Sequence, residues 1–341
     1  MYYLIAKDHR PAHNLALEEY LFDNFIEMGL EDIVLFYVNK PSYICGKSQN
    51  IYREVDWLKL QAKGVPCLRR ISGGGTVYHD LHNLNFSFMT RHQPDYVKNF
   101  AYFLEPIRSY LAELGLKADL VAPSHLFVEG KKISGNAQAI RHDRILHHGT
   151  LLYDADLAAL DGLLSEAPPY MSTKAVASLP NPVINLADLF QPQGLKLSLS
   201  QFQQGLLDYI CGAKVKEQGC GPAKELKLGP ETYQAIDLLV EQKYKLWSWN
   251  FARSANFSFN QRPLRLNFEG QEHLGKIDLT VKRGCIESLD FFGSDNDLRL
   301  SAYLSDLLGG LRLDYTELDN FDQDKADLLL QIWRQLFPGK S

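Results

Sequence analysis

The sequence is poor in cysteine and has no long apolar run. Five cysteines, an odd number with no Cys-x-x-Cys pair, argue against a disulfide framework or a zinc ribbon. No hydrophobic stretch approaches the roughly 20 residues needed to span a bilayer. No secretory signal opens the chain, since Tyr2-Tyr3-Leu4-Ile5-Ala6 runs at once into Lys7-Asp8-His9-Arg10. A reducing, cytoplasmic location without membrane attachment is expected. Positive charge is not in excess either: 36 Lys and Arg stand against 41 Asp and Glu, a net charge of −5. A general nucleic-acid binder would be basic, so none is expected. His-Glu-x-x-His is absent, and the pairs His79/His82 and His147/His148 lack a third ligand at metal spacing. The histidines read instead as satisfied polar strand residues, and no metal ligands are assigned. Internal repeats and low-complexity tracts are also missing.

What is present is ordinary globular material. The hydrophobic share is 45% of 341 residues, enough for two or three domains of about 150 residues each. Leu17, Leu21 and Phe25 recur at helical spacing and predict a helix over 14–28, capped by Asn14 and stopped by Gly29. Residues 33–38 form an apolar run that reads as a buried strand. A helix over 56–63 ended by Gly64, and a strand over 65–71, follow. Leu84, Phe86 and Phe88 alternate with Asn83, Asn85 and Ser87, so one strand face is core and the other faces a polar site. A helix over 95–114, kinked at Pro106, leads to strands near 118–121, 125–129, 132–140 and 144–152. A helix over 199–210 and a connection over 213–230 come next. Beyond Trp249 the pattern gives a hairpin turning at Arg283-Gly284 and helices near 297–309 and 324–336. The fold class is therefore α+β. Two domains are expected, 1–245 and a small α+β domain over 250–341.

One stretch stands out: Arg69-Arg70-Ile71-Ser72-Gly73-Gly74-Gly75-Thr76-Val77-Tyr78-His79-Asp80. Glycines permit positive φ and close approach of a ligand to main-chain N–H groups. Successive N–H groups in such a turn form an anion-binding concavity. Neighbouring arginines match phosphate or carboxylate. A Gly-rich hairpin with surface arginines is the plain alternative. Gly46-Lys47-Ser48 imitates the end of a Walker A loop, but Pro41 stands where the first glycine is required. Lys131-Lys132 after Gly130 reads on its own as a solvated turn. A fixed lysine there would also be able to stabilise negative charge passing through a phosphate, but on the residues alone the turn is the preferred reading.

The glycine stretch resembles the lipoate–protein ligases of the biotin/lipoate-ligase superfamily. Other pieces agree in the same order. Asn14-Leu15-Ala16-Leu17-Glu18-Glu19-Tyr20-Leu21 is similar to the family's first helix, and Gly46-Lys47-Ser48-Gln49-Asn50 to its G-[KR]-x-Q-N turn. Asn83 to Phe88 is similar to the strand after the glycine loop. Lys132-Ile133-Ser134-Gly135-Asn136-Ala137 resembles the catalytic-lysine segment, and His147 to Leu152 the strand after it. Trp247-Ser248-Trp249-Asn250-Phe251 resembles the start of an accessory domain. The resemblance implies a biotin/lipoate-ligase-type catalytic domain with Lys132, the lysine directly before [IV]-S-G, as catalytic residue. It implies that Arg70, Ser72, Gly73, Gly74, Gly75, Thr76, Val77, Tyr78 and Lys132 bind ATP and lipoyl-AMP. Arg69 supports Arg70 or is a surface charge. Lys132, His79 and His148 would bind lipoate.

The implied reaction activates lipoate with ATP and Mg2+ to lipoyl-AMP, then transfers the lipoyl group to a carrier lysine. Carriers would be lipoyl domains of 2-oxoacid dehydrogenase E2 subunits or the glycine-cleavage H protein, with the enzyme a monomer. The accessory domain would perform no chemistry; the resemblance implies that it shifts as the acyl-adenylate forms, and a passive stabilising cap is the alternative. Two departures stand against the pattern. Ala122-Pro123-Ser124-His125 replaces a G-R-N-D run, which removes an acidic residue from a possible magnesium or nucleotide contact. Ser178-Leu179-Pro180-Asn181-Pro182-Val183-Ile184-Asn185 lacks two expected arginines and is similar to the lipoyltransferase form. A lipoyl or octanoyl transferase using preformed acyl-AMP or an acylated carrier is therefore the second reading, and a non-enzymatic acyl-carrier binder the third. A cysteine-dependent transferase is disfavoured, because no cysteine lies between Lys132 and Cys211 and Cys45 and Cys67 sit in core-like runs.

Overall fold

The structure is a computed structural model that describes residues 1–121, 124–163, 167–218, 222–293 and 298–338. Ala122 and Pro123 of the departing run lie outside the described residues, as does Cys220. The chain divides into two compact units. One comprises Met1–Lys47, Arg70–Ala158 and Leu179–Lys245, the other Ser48–Arg69, Ala159–Ser178 and Leu246–Ser341.

The first unit is built on a sheet whose eight strands among the described residues run Lys224–Glu225, Tyr2–Ile5, Ile33–Tyr37, Asn83–Arg91, Arg144–Leu152, Lys131–Arg141, His125–Val128 and Asp119–Val121. The first three pair in parallel and the rest antiparallel. Alternation decides which side chains reach which face. Val34, Phe36, Leu84, Phe86 and Phe88 enter the main core, against Phe103, Leu104, Ile107 and Leu111 of helix Phe100–Glu113 and Phe202, Leu206 and Ile210 of helix Leu199–Gln218. Pro106 lies inside the first of these helices. On the polar face, Ser87 and His148 meet the helix Pro11–Asn24 through Glu18. A separate antiparallel pair, Ser42–Cys45 with Val77–His79, flanks the glycine loop.

Several element boundaries differ from the sequence expectation. The first helix begins at Pro11, whose fixed φ suits the first helical position. Asn14 is therefore no cap. It is buried and donates to Asp8 O, Val38 O and Asn39 Oδ1 at 2.8, 3.2 and 2.9 Å. The helix after the glycine-loop strands starts at Phe100, capped by Asn99, rather than at 95. The stretch 213–218 continues a helix, Lys224–Glu225 is a strand and Pro230–Leu239 forms another helix, so the expected connection over 213–230 is interrupted.

The second unit holds the antiparallel sheet Met171–Thr173, Phe257–Phe268, Gln271–Lys282 and Cys285–Gly293. Arg283 and Gly284 both take positive φ in its tight turn, as two-residue hairpins require. Helices Leu298–Leu308 and Gln323–Leu336 accompany the sheet. The first of two differences from the expected 1–245 and 250–341 division is that segment 48–69 joins this unit. Trp57 packs on Trp333 and Phe337, and Tyr52 packs on Phe251 and Phe257 and donates to Leu313 O at 2.9 Å. The second is that 159–178 joins it too, since Met171–Thr173 pairs with Phe257–Phe259.

Candidate active site

Arg70 organises the glycine loop from inside. Its Nε donates to Ser72 Oγ at 3.0 Å, its Nη1 to Ile44 O at 2.9 Å, and its Nη2 to Gly73 O at 2.5 Å and Gly75 O at 2.8 Å. Two loop carbonyls are thus turned toward the guanidinium. Gly74 between them has φ +91°, and a Cβ there would stand 2.9 Å from Arg70 Nη2. Lys47 N donates to Ser72 O at 2.7 Å and ties the preceding turn to the loop. Arg69 is no surface charge. In the second unit it is fully buried and donates to Asn250 O, Gln49 O and Ser254 Oγ.

After the loop, side chains alternate. Thr76 donates to Cys45 Sγ at 3.3 Å. Tyr78 is buried beside Tyr43 at 5.2 Å between ring centroids, and burial together with Asp80 and Asp156 pushes its phenol up to about 12. Its backbone, not its ring, is what it can offer the loop. His79 is buried, and burial, Arg70 and His148 hold it down to about 3, so it is neutral. Asn39 donates its Nδ2 side to His79 Nδ1 at 2.9 Å, with Asn14 donating in turn to Asn39 Oδ1. That chain leaves the His79 proton on Nε2, which is buried without a partner.

His148 sits between two groups. Its Nδ1 lies 2.9 Å from both Glu18 carboxylate oxygens and its Nε2 lies 2.6 Å from Ser72 Oγ. Glu18 also accepts from Ser87 Oγ at 2.5 Å and Tyr37 OH at 3.5 Å. The first helix therefore reaches the glycine loop through Glu18 and His148. His147 points to the opposite sheet face and stacks on Phe103 at 4.8 Å. Unlike His148 it is not satisfied, because its Nε2 has no partner.

Lys132 is neither in a turn nor at the surface. The turn is made by Glu129 and Gly130, both with positive φ, and the strand begins at Lys131, which is exposed. The register between His125–Val128 and the lysine strand slips between Leu126 and Phe127, so Ile133 is an extra residue. Such a bulge re-aims a side chain. Here it brings Lys132 over Gly135, where a Cβ would lie 3.1 Å from both Lys132 Cε and Nζ. The Lys132 backbone is clamped from the other side, N to Pro182 O at 2.8 Å and Ile184 N to Lys132 O at 3.1 Å. Pro182 and Ile184 belong to the proline-containing segment that the sequence flagged as a departure. The lysine is pushed down to about 8 by burial and then by Arg70. Among the described residues its ammonium makes no hydrogen bond or ion pair. A partly buried cation without a counter-charge is costly unless an anion completes it.

Lys132, Arg70 and the loop thus form an electropositive site with glycine backbone at its edge. Glu18 and His125 belong to its surroundings and were not assigned from sequence. Glu18 lay within the quoted helix motif, but only its hydrogen bond to His148 reveals it. The described residues contain no group of three or more His, Cys, Asp or Glu that could hold a metal ion.

The model of the lipoyl protein ligase A/B catalytic domain family matches residues 10–211, which include the whole of this site. Lipoate-protein ligase LplJ of Bacillus subtilis is 35% identical over 285 residues, 83% of this chain and 81% of that protein. A putative lipoate protein ligase from T. acidophilum with bound lipoic acid superposes with a TM-score of 0.60 at 25% identity, covering 73% of this chain and 98% of that one. A lipoate-protein ligase A bound with ATP gives 0.59 at 25% identity, with the same coverage. The chain belongs to the lipoate–protein ligase family and is an ATP-dependent ligase.

Proposed function

We propose that this site joins lipoate to ATP and then passes the lipoyl group to a carrier lysine. The carrying observation is the ammonium of Lys132, partly buried, unpaired and within electrostatic reach of Arg70. In the first step a lipoate carboxylate oxygen attacks the α-phosphorus and pyrophosphate leaves. Charge accumulates on the α-phosphate oxygens, where Lys132 would stabilise it without reorganisation. Gly73, Gly74, Gly75, Thr76 and Val77 would offer backbone N–H groups to the nucleotide, with Tyr78 contributing backbone only. Arg70 and Ser72 would hold that loop in shape. Magnesium would arrive on the ATP phosphates and stay bound to them and to water.

In the second step the carrier ε-amine attacks the acyl carbonyl and AMP leaves, its phosphate again held by Lys132. His148 and His79 would line the lipoyl group, His79 presenting its Nε2–H. Carriers of the proposed class are E2 lipoyl domains and the glycine-cleavage H protein, and the enzyme would act as a cytoplasmic monomer. No helix among the described residues is long and apolar enough to cross a membrane. The test is intact mass of a purified E2 lipoyl domain incubated with enzyme, lipoate and MgATP. One lipoyl adduct on the target lysine is expected. An adduct formed only from supplied lipoyl-AMP would replace this reading with a transferase.

A further inference from the structure

The residue that replaces the expected acid, His125, stands beside Lys132. It opens the strand His125–Val128 and pairs directly opposite Gly135. The Cβ position vacated at Gly135 lies 3.8 Å from His125 Nδ1 and 3.1 Å from Lys132 Nζ, so both nitrogens border one point. His125 Nδ1 is buried and has no hydrogen-bond partner. The backbone that carries it is fixed, since Asn136 donates to Ser124 O through N at 3.0 Å and Nδ2 at 2.9 Å. The charged group acting on His125 is Lys132, and the one acting on Lys132 is Arg70. Both are cations, and no carboxylate faces either among the described residues. Apart from the Ser124 backbone, which hydrogen-bonds the His125 ring, the two nitrogen donors lie side by side with no carboxylate to accept from them, a poor structural element and a good anion receptor.

We propose that His125 donates from Nδ1 to the phosphate group that Lys132 receives, as a second phosphate-contacting side chain. This rests on the reading above, that a phosphate is brought to Lys132. In the unliganded site, burial and the neighbouring ammonium hold His125 below its usual value, hence neutral near pH 7. An anion between the two reverses the sign of the field, so phosphate binding draws a proton onto the imidazole. The loss of an acid from this position then becomes a gain of a conditional cation, which suits a site whose magnesium comes with the nucleotide.

The experiment titrates the full-length protein and its His125→Ala and His125→Asn variants with inorganic pyrophosphate and with ATP by calorimetry. Each is run at pH 6.5 in two buffers of different ionisation heat, and again at pH 8. Expected is about tenfold weaker binding in His125→Ala, the scale of one charge-assisted hydrogen bond. Wild type should take up more protons on binding than either variant. His125→Asn should keep most of the affinity at pH 8 through its amide but lose the extra tightening at pH 6.5. If His125→Ala does not fold, His125→Asn decides the question by its proton uptake. Wild-type affinity and wild-type proton uptake in the variants would overturn the role of His125 alone. Failure of the wild-type protein to bind either probe would overturn both this proposal and the ligase reading.

Discussion

Gly135 lies directly under the side chain of Lys132, with its missing Cβ 3.1 Å from both Cε and Nζ. Contacts that short force the neighbour to move by a few tenths of an ångström, and the neighbour here is the Lys132 ammonium proposed to receive the phosphate. Gly135→Ala should therefore fold normally and lower kcat about tenfold or more, because a small displacement of a positioned group is expensive in rate. Steady-state kinetics with lipoate and ATP measure it. Unchanged kcat would mean that Lys132 is not held in place by its contact with Gly135.

Lys132 itself should trade stability for function. Its pKa falls from the ordinary 10.5 to about 8, so the folded protein holds the proton less tightly than the unfolded chain. That penalty is fully present below about pH 8, shrinks as pH rises from 8 toward 10.5, and is gone above. Lys132→Met should abolish ligation while raising unfolding free energy at pH 7 by roughly 1–3 kcal/mol. Denaturant melts at pH 7 and pH 10 test this. A variant less stable than wild type at pH 7 would contradict the picture of an uncompensated buried charge.

The same group sets a pH limit on catalysis. As pH passes upward through about 8 the unliganded enzyme loses the Lys132 charge, so kcat/KM for ATP should fall over that range. Lys132→Arg, always charged, should be weak at every pH and show no such decline. A wild-type profile flat to pH 9.5 would speak against Lys132 as the essential cation.

Gly74 holds φ +91° with Arg70 Nη2 2.9 Å from its empty Cβ position. Gly74→Val should add backbone strain of about 1–3 kcal/mol and push the guanidinium off the loop carbonyls. The expected result is a KM for ATP raised about tenfold or more with a lower kcat. Normal nucleotide affinity would demote the loop to a structural turn.

Glu18 connects the first helix to the glycine loop through His148. Glu18→Gln presents an amide N–H₂ where two or three donors now converge, leaving buried groups unsatisfied at a cost of about 2 kcal/mol. Lipoate KM should rise more than ATP KM, since His148 is assigned to the acyl group. Equal change in both constants, or none, would remove Glu18 and His148 from that role.

The local chemistry of this site was legible in the chain, and its connections were not. Ser72 to Gly75 announce a loop, and Ile133-Ser134-Gly135 select Lys132 over Lys131, because both signals are short and continuous. The bulge at Ile133 was invisible, since a register slip depends on the partner strand. For the same reason the partial burial of Lys132, at the start of its strand beside the Glu129-Gly130 turn, was not legible. Glu18, His148 and Ser72 lie 54 or more positions apart in pairs and meet only where a helix, a strand and the glycine loop come together. Arg69 and Arg70 are neighbours in sequence, yet Arg69 is spent on Asn250, Gln49 and Ser254 while Arg70 is spent on the loop. Periodicity located most helices and strands but not the ends set by Pro11 and Asn99. Nor could it show that Tyr52 and Trp57 would seek the aromatic core of the C-terminal unit.

Ligase activity requires that this protein adenylate lipoate itself, despite His125 in place of an acid and the proline-containing segment beside Lys132. Lipoate-dependent exchange of labelled pyrophosphate into ATP, with no carrier protein present, isolates that step. Rapid exchange that requires lipoate and disappears in Lys132→Met is the predicted result. Absence of exchange in a wild-type protein that still transfers from synthetic lipoyl-AMP would contradict it.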